Sequence, residues 1–359
     1  MQHLIFELTK VALGHQERLS VEPNIEEWIS IFKLVRKLEV TGLLYHGIEI
    51  LTQNGQKPPR DLCFKWFKIS DFVRKRNQFL DEKSMELLSM LSHDGIKACI
   101  LKGQGIARFY PDHLKGLRLC GDIDIYANCE RERIDAFAHK LGKNDIAWSY
   151  RHVEVKLPDK LVVELHYRME SFFNPFKNKR FQHFILQNEE QIFCHEGNLV
   201  TPSLTMYLFY ALLHIYNHIL SSRIGIKQVI DYYFLLKAAN GQFGRFAQGE
   251  SLIDVLRGYK MMRFAAGMMW ILQEAAGLER EYMLCDPCEK EGRFLLDRII
   301  MPDAEEKISD SHKKVKDTNV LSFLFKRSVQ VLCHYPSDAI WIPMWFFWQR
   351  NMKLILSKK

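Results

Sequence analysis

The spacing of apolar residues changes once along this chain and then changes back. Before Gly95 they recur every three to four residues, as in Ile25, Trp28, Ile29, Phe32 and Val35 and in Val40, Leu43, Leu44 and Ile48. That spacing lines one face of an α-helix. After Gly95 comes a compact apolar run, Ile96–Leu101, and then Asp122-Ile-Asp-Ile-Tyr126, which alternates with period two. Alternation of that kind is the mark of a strand with one buried face. Ile146–Arg151, Val153–Leu157 and Leu161–Tyr167 read as further strands, with Pro158-Asp159-Lys160 turning between the last two, and Gln104–Tyr110 and Arg131–Leu141 as helices. Helical spacing resumes beyond Ser171, in Leu204–Leu220, Gly225–Ala239, Leu252–Ala276, Glu291–Ile300 and Leu321–Cys333. The pattern predicts an α+β protein, mostly helical overall. It places a helical N-lobe over 1–93, a small mixed-sheet α/β core over 94–170 and a helical C-lobe over 171–359.

Composition narrows the class without naming an activity. The 359 residues, 47% hydrophobic and 26% charged, exclude disorder and a small disulfide scaffold. A net charge of +7, from 50 basic against 43 acidic residues, permits phosphate ligands but falls short of a nucleic-acid coat, so nucleic acid is not the expected partner. The eight cysteines are scattered, and Cys285-Asp-Pro-Cys288 has no second pair and no histidine at finger spacing. With no signal-peptide pattern at the start, a reducing, cytoplasmic location is expected. No apolar run reaches the ~18–20 residues of a membrane span; Met206–Leu220 is broken by His214, Asn217 and His218, and Ala339–Trp348 is short and holds Pro343. Arg60–Ser92 reads as one long helix whose early turns carry Arg60, Lys65, Lys68, Arg74, Lys75 and Arg76 against Asp61 and Asp71, most simply a solvated face and otherwise a phosphate-facing basic strip.

The chemistry concentrates in a short set: Leu101-Lys-Gly103, Arg118, Gly121-Asp-Ile-Asp-Ile-Tyr126 and Val163-Glu-Leu-His166. On a strand, Asp122 and Asp124 project to one face ~6.5–7 Å apart while Ile123 and Ile125 go to the other. Adjacent carboxylates repel unless a cation lies between them, and hard Mg²⁺ or Mn²⁺ prefers such oxygens. A third acid on a neighbouring strand completes a metal site for displacement at phosphorus. Glu164, a charge inside an apolar strand, is the first choice, as third ligand or general base, with Glu154 in reserve. His166, on the face of Glu164, reads either as a satisfied core histidine or as a residue that hydrogen-bonds to the site.

This ordered set resembles the acidic motif of the polymerase-β-like nucleotidyltransferase superfamily. With Leu-Lys-Gly, Tyr110-Pro111, an arginine before Asp-Ile-Asp and a later Glu-Leu-His, it resembles more narrowly the uncharacterised nucleotidyltransferase branch, found in bacteria. The close match spans Ile96–His166. Lys102-Gly103 stands where most of the superfamily has Gly-Ser or Gly-Gly, although the narrower branch shares the Lys-Gly form. The resemblance implies transfer of a nucleoside monophosphate from an NTP to a hydroxyl of a small molecule or protein, with release of pyrophosphate. It implies Asp122, Asp124 and Glu164 as catalytic metal ligands, and Lys102, Gly103, Arg118 and Gly121 around the nucleotide phosphates. Arg118 could instead pair with an aspartate. The rival expectation is a catalytically degenerate protein that binds a nucleotide or a partner.

In the helical C-lobe, His214 and His218 stand at i, i+4 without a third ligand, which suits a polar patch on a cleft better than zinc. Arg223, Lys227 and Asp231 follow at one-turn intervals, where i, i+4 salt bridges are expected ahead of a shared place on the same cleft. Trp341, Trp345, Phe346, Phe347 and Trp348 are expected to pack in the core or, beside Arg350, Lys353, Lys358 and Lys359, to form a partner or membrane-surface patch. With that tail and the basic strip, an assembly factor with a vestigial core is a third possibility.

Overall fold

A computed structural model describes residues 1–142, 146–197, 199–221, 224–299 and 317–356. The charged stretch 303–317, which holds Lys313, Lys314 and Lys316 and reads in the sequence as an exposed connection, lies outside the described residues up to 316, as do Arg223, Lys358, Lys359 and the side chains of Arg350 and Lys353. The opening segment forms α1 (Gln2–Ala12), α2 (Ile25–Lys37), α3 (Thr41–Gln53) and the long α4 (Arg60–His93). Asn24 starts α2 with a capping box, its side chain accepting from the Glu27 amide while Glu27 accepts from the Asn24 amide. On α4, Lys75 is largely exposed and pairs with Asp71, as a solvated face requires.

The sheet follows as β1 (Ala98–Ile100), β2 (Ile123–Ala127), β3 (Ile146–Trp148), β4 (His152–Leu157) and β5 (Leu161–His166), in the order β1-β2-β5-β4-β3. Between β1 and β2 lie two single-turn helices, α5 (Gln104–Ala107) and α6 (Asp112–Lys115), and α7 (Arg131–Leu141) leads into β3. Only β2 and β5 run parallel; the other pairs are antiparallel. The fold is therefore α+β, mostly helical, around a small mixed sheet.

Period two sorts the sheet as the sequence anticipates. Ile123, Ile125, Val153, Val155, Val163 and Leu165 turn to one face and form a core with Leu80, Leu87 and Leu91 of α4 and with Ile134 and Phe137 of α7. Cys99, Leu101 and Tyr126 join a larger core, which runs from Ile5 and Trp28 through Tyr207 and Phe264 to Ile342. Helices from both ends of the chain thus share one core.

The remaining elements are α8 (Pro175–Gln187), α9 (Glu189–Ile192), the hairpin β6 (Cys194–Glu196) and β7 (Leu199–Thr201), α10 (Leu204–Ser221), α11 (Ile226–Ala239), α12 (Leu252–Gly258), α13 (Met262–Ala276), α14 (Glu289–Ile299), α15 (Asp317–Leu332), α16 (Pro336–Ala339) and α17 (Ile342–Leu356). The expected single helix Leu252–Ala276 is two. Lys260 turns left-handed at φ 59° and the Met261 amide reaches back to the Leu256 carbonyl, which closes α12 as a Schellman cap does. Helix α8 escaped the sequence reading although its start is marked by Pro175 in the first turn and by Asn174, whose side chain accepts from the Phe176 and Lys177 amides. Among the described residues no helix is long and apolar enough to cross a membrane.

Candidate active site

The parallel pairing of β2 with β5 sets Asp124 directly opposite Glu164, and Asp122 lies one residue before β2. One carboxylate oxygen from each of Asp122, Asp124 and Glu164 falls within 4.8 Å of the others. Glu154 sits opposite Glu164 on β4 and lines the same pocket, but its carboxylate lies 3.6 Å from Lys156. The pocket has a volume of about 590 Å³. The sheet forms its floor, α10 supplies Tyr210, His214 and His218, and α11 supplies Lys227 and Asp231.

Lys102 arrives because pairing continues past the end of β1, where the Leu101 amide donates to the Asp124 carbonyl. Its Nζ donates to Asp124 Oδ1 at 2.5 Å and stands 4.0 Å from Glu164 Oε2. Gly103 then turns the chain sharply into α5 with φ 54° and ψ −110°, a conformation open to glycine. Two residues on, a Cβ at Gly105 would fall 2.1 Å from the Tyr207 hydroxyl, so the turn also packs tightly against α10. Gly121 lines the pocket with open space beside its Cα.

Burial and mutual repulsion divide the acids. Desolvation, then the Asp124 charge, raises the Asp122 carboxyl to about 6. Burial would raise Glu164 too, but the hydrogen bond from His166 and the charge of Lys102 outweigh it and hold Glu164 well below the usual carboxylate range. Desolvation opposes the charge on Lys102, yet Asp124 foremost keeps its pKa above that of a free lysine. His166 Nε2 stands 3.1 Å from both Asp124 Oδ1 and Glu164 Oε2, and donates to them when its proton is on that nitrogen.

Three oxygens from separate carboxylates, with Asp122 left short of positive charge, fit a hard divalent cation. Among the described residues the pocket is lined by five lysine and arginine side chains and six carboxylates. Without an excess of fixed positive charge, such a pocket accepts a triphosphate only together with added cations.

Arg118 lines the pocket but is held by α11 through two of its nitrogens and by the Cys120 sulfur, 3.1 Å away, through Nη1. Its Nε donates to Asp231 Oδ1 at 2.6 Å and its Nη2 to Asp231 Oδ2 at 2.7 Å, and the Tyr110 hydroxyl donates to the same carboxylate at 2.6 Å. Of the two roles open to it, aspartate pairing is the one formed. The expected Lys227–Asp231 bridge within α11 is absent because Arg118 takes Asp231, while Lys227 pairs with Glu39 at 2.7 Å. His214 and His218 do face the pocket, with ring centres 4.4 Å apart, and His214 Nδ1 lies 3.0 Å from Glu170 Oε2.

Arg151, His152 and Tyr210 line the pocket and were missed in the sequence. For His152 a signal existed, since strand alternation and a short turn put it on the face of Glu164 and His166. Arg151, paired with Glu170, and Tyr210, an aromatic on an apolar helix, carry none.

Of the C-terminal aromatic residues, Trp341, Trp345 and Phe346 are half-buried against the larger core, whereas Phe347 and Trp348 are exposed. Trp345 and Trp348 lie edge-on to Tyr150 at 4.8 and 5.0 Å, Phe346 stacks on Phe173, and Phe347 stays 59% exposed. Trp341, Trp345 and Trp348 line a second cavity, of about 1110 Å³. Ser149 and Tyr150 face that cavity, whereas the next residues, Arg151 and His152, face the first. The eight cysteines are free thiols.

No curated protein matches the chain. A solved structure, an antigenic nucleotidyltransferase-like protein from Paracoccidioides brasiliensis, aligns over 62% of this chain and 98% of its own at 16% identity and a TM-score of 0.34, a likeness too weak to carry an argument. The family comparison reaches further: over residues 24–277, which include β1, both acidic strands and helices on either side of the sheet, the sequence matches the description "Uncharacterised nucleotidyltransferase", and the chain belongs to that family.

Proposed function

We propose that this pocket transfers a nucleoside monophosphate from an NTP to a hydroxyl of a small-molecule or protein acceptor, releasing pyrophosphate. One observation carries the reading: the Asp122, Asp124 and Glu164 carboxylates converge within 4.8 Å on the floor of a pocket large enough for a ligand. The reading takes 94–170 as the catalytic core, with 1–93 and 171–359 as the helical segments around it. Free thiols throughout suit a reducing, cytoplasmic setting, and the resemblance to a bacterial branch suits a bacterial source.

In this reading the acceptor hydroxyl loses its proton to solvent water in the open pocket, and its oxygen bonds to the α-phosphorus. The bond from that phosphorus to the bridging oxygen breaks, so that pyrophosphate leaves. Mg²⁺ or Mn²⁺ held by the three carboxylates would lower the pKa of the acceptor hydroxyl and neutralise the leaving pyrophosphate. Glu164, kept ionised by His166 and Lys102, acts as a ligand rather than a base. Lys102 is the mobile cation, paired with Asp124 in the resting pocket and turning to a phosphate oxygen when substrate enters. Gly103 lets the backbone approach the phosphates, and the Arg118–Asp231 pair fixes the loop that leads into β2.

A second reading has its own support. Lys102 bonded at 2.5 Å to Asp124 neutralises the acidic centre from within, which suits a protein that binds nucleotide without turning it over. Pyrophosphate release measured with each of four NTPs, with and without Mg²⁺, separates the two. The transferase reading expects Mg²⁺-dependent release that Asp124→Asn abolishes. Nucleotide-dependent thermal stabilisation with no pyrophosphate under any acceptor mixture would retire it in favour of the binding module.

A further inference from the structure

Two imidazoles flank the same carboxylate. On the antiparallel β4–β5 pair His152 stands opposite His166, their ring centres 4.9 Å apart. Glu164 Oε2 lies between them, 3.1 Å from His166 Nε2 and 3.7 Å from His152 Nδ1. One donor atom from each of the three residues falls within 4.8 Å of the other two.

A hydrogen bond accounts for the His166 contact but not for His152. At 3.7 Å its Nδ1 is beyond hydrogen-bond distance from Glu164. That nitrogen is also closed off from solvent and has no hydrogen-bond partner. Buried polar atoms without a partner are uncommon, and an ion is one of the groups that satisfies them. Lys102 does not take up the oxygen in question, since it is 4.0 Å from Glu164 Oε2 and bonds Asp124 instead.

The spacing is that of a metal site. An ion about 2.1 Å from each donor, in tetrahedral or octahedral geometry, holds its donors roughly 3.0–3.4 Å apart. The 3.1 Å separation falls inside that range, and the 3.7 Å one exceeds it by about 0.3 Å, a gap that a small rotation of the His152 ring closes. The donor set also differs in kind from the neighbouring acids. Two nitrogens and one carboxylate suit a borderline transition ion such as Zn²⁺, Fe²⁺ or Co²⁺, whereas oxygens alone suit Mg²⁺.

We infer that His152, Glu164 and His166 form a second metal site that takes a borderline divalent transition ion and shares Glu164 with the acidic trio. The site stands whether or not the pocket transfers nucleotides, because it is read from donor geometry rather than from turnover.

The test is equilibrium dialysis of the metal-free full-length protein against Co²⁺ in excess Mg²⁺, with elemental analysis and the visible spectrum of bound Co²⁺. A Cys285→Ser/Cys288→Ser background removes the Cys-x-x-Cys thiols as a competing site. One Co²⁺ per chain is expected in this background and in Asp122→Asn. His152→Gln is expected to weaken binding by ~100-fold or more and to change the spectrum. Because His166 is buried and its substitution could disturb folding, His152→Gln, with its side chain nearer the pocket surface, is the deciding variant. Failure of the parent to retain Co²⁺, equal retention by His152→Gln, or loss in Asp122→Asn matching that in His152→Gln would each overturn the site.

Discussion

Arg118, in the loop before β2, and Asp231, on α11, are joined by two hydrogen bonds of 2.6 and 2.7 Å with both side chains almost wholly buried. The pair ties the loop carrying the acidic motif to a helix 113 residues away. Asp231→Ala leaves the guanidinium buried without its countercharge. The expected cost is ~3–5 kcal/mol in urea unfolding, as for other half-broken buried pairs. A loss under about 1 kcal/mol would show the loop to be held by other contacts.

Lys102 is assigned to phosphate by the proposed function and bonded to Asp124 in the structure. Lys102→Met separates these roles. If the lysine holds phosphate, nucleotide affinity falls by roughly tenfold or more, the loss expected of one charge-assisted hydrogen bond. A variant that loses stability while its NTP affinity, measured by calorimetry, stays at the wild-type value would confine Lys102 to the ion pair.

Two groups in the pocket give opposite pH signatures. His152 titrates at about 3 in the folded protein, because burial first and His166 second disfavour its charge, against 6.5 when unperturbed. Between those values the unfolded chain holds the extra proton, so the stability His152 contributes is complete above pH 6.5 and is lost as pH falls. Asp122 is raised to about 6 from 3.8, so in that window the folded chain holds the extra proton and acidification stabilises it. In urea unfolding from pH 7.5 to about 5, His152→Gln should therefore flatten the acid-side fall and Asp122→Asn should steepen it. Identical slopes in all three proteins would mean that neither group is shifted.

Metal affinity follows Asp122 separately. Since a carboxylate must be deprotonated to ligate, Mg²⁺ affinity should drop by roughly tenfold per unit once the pH passes below the Asp122 value of about 6. Titration calorimetry at pH 7.5, 6 and 5 checks this, and a flat profile would remove Asp122 from the ligand set.

Gly103 offers a purely conformational test. At φ 54° and ψ −110° an added Cβ meets nothing closer than 3.7 Å, so Gly103→Ala is opposed by backbone strain rather than by crowding. A destabilisation of ~1–3 kcal/mol is expected. No loss of stability would mean the turn has an easy alternative to this conformation.

Local rules carried much of this protein. A two-residue repeat separates Asp122 and Asp124 from Ile123 and Ile125 wherever the strand lies, because successive side chains on a strand leave opposite faces. The same rule singles out Glu164 as a charge in an apolar strand, and helical spacing marks α4, α10 and α11 without reference to any partner. Local signals were also overlooked at Asn174-Pro175, where the cap of α8 is written in adjacent residues. Between Leu252 and Ala276 apolar spacing runs on unbroken, and the break at Lys260 is a matter of backbone conformation that no apolar pattern records.

Other relationships came only with the tertiary structure. Strand alternation says that Asp124 and Glu164 each have a face; the parallel β2–β5 register decides that the faces are the same and the residues level. Asp231 was expected to bind its own helix neighbour, but desolvation favours the bidentate partner that folding brings beside it, so Arg118 takes it and Lys227 turns to Glu39. Which charges meet depends on distances across the fold and on the water excluded between them. Sequence neighbours set neither, so the acidic motif was legible along the chain and its partners were not.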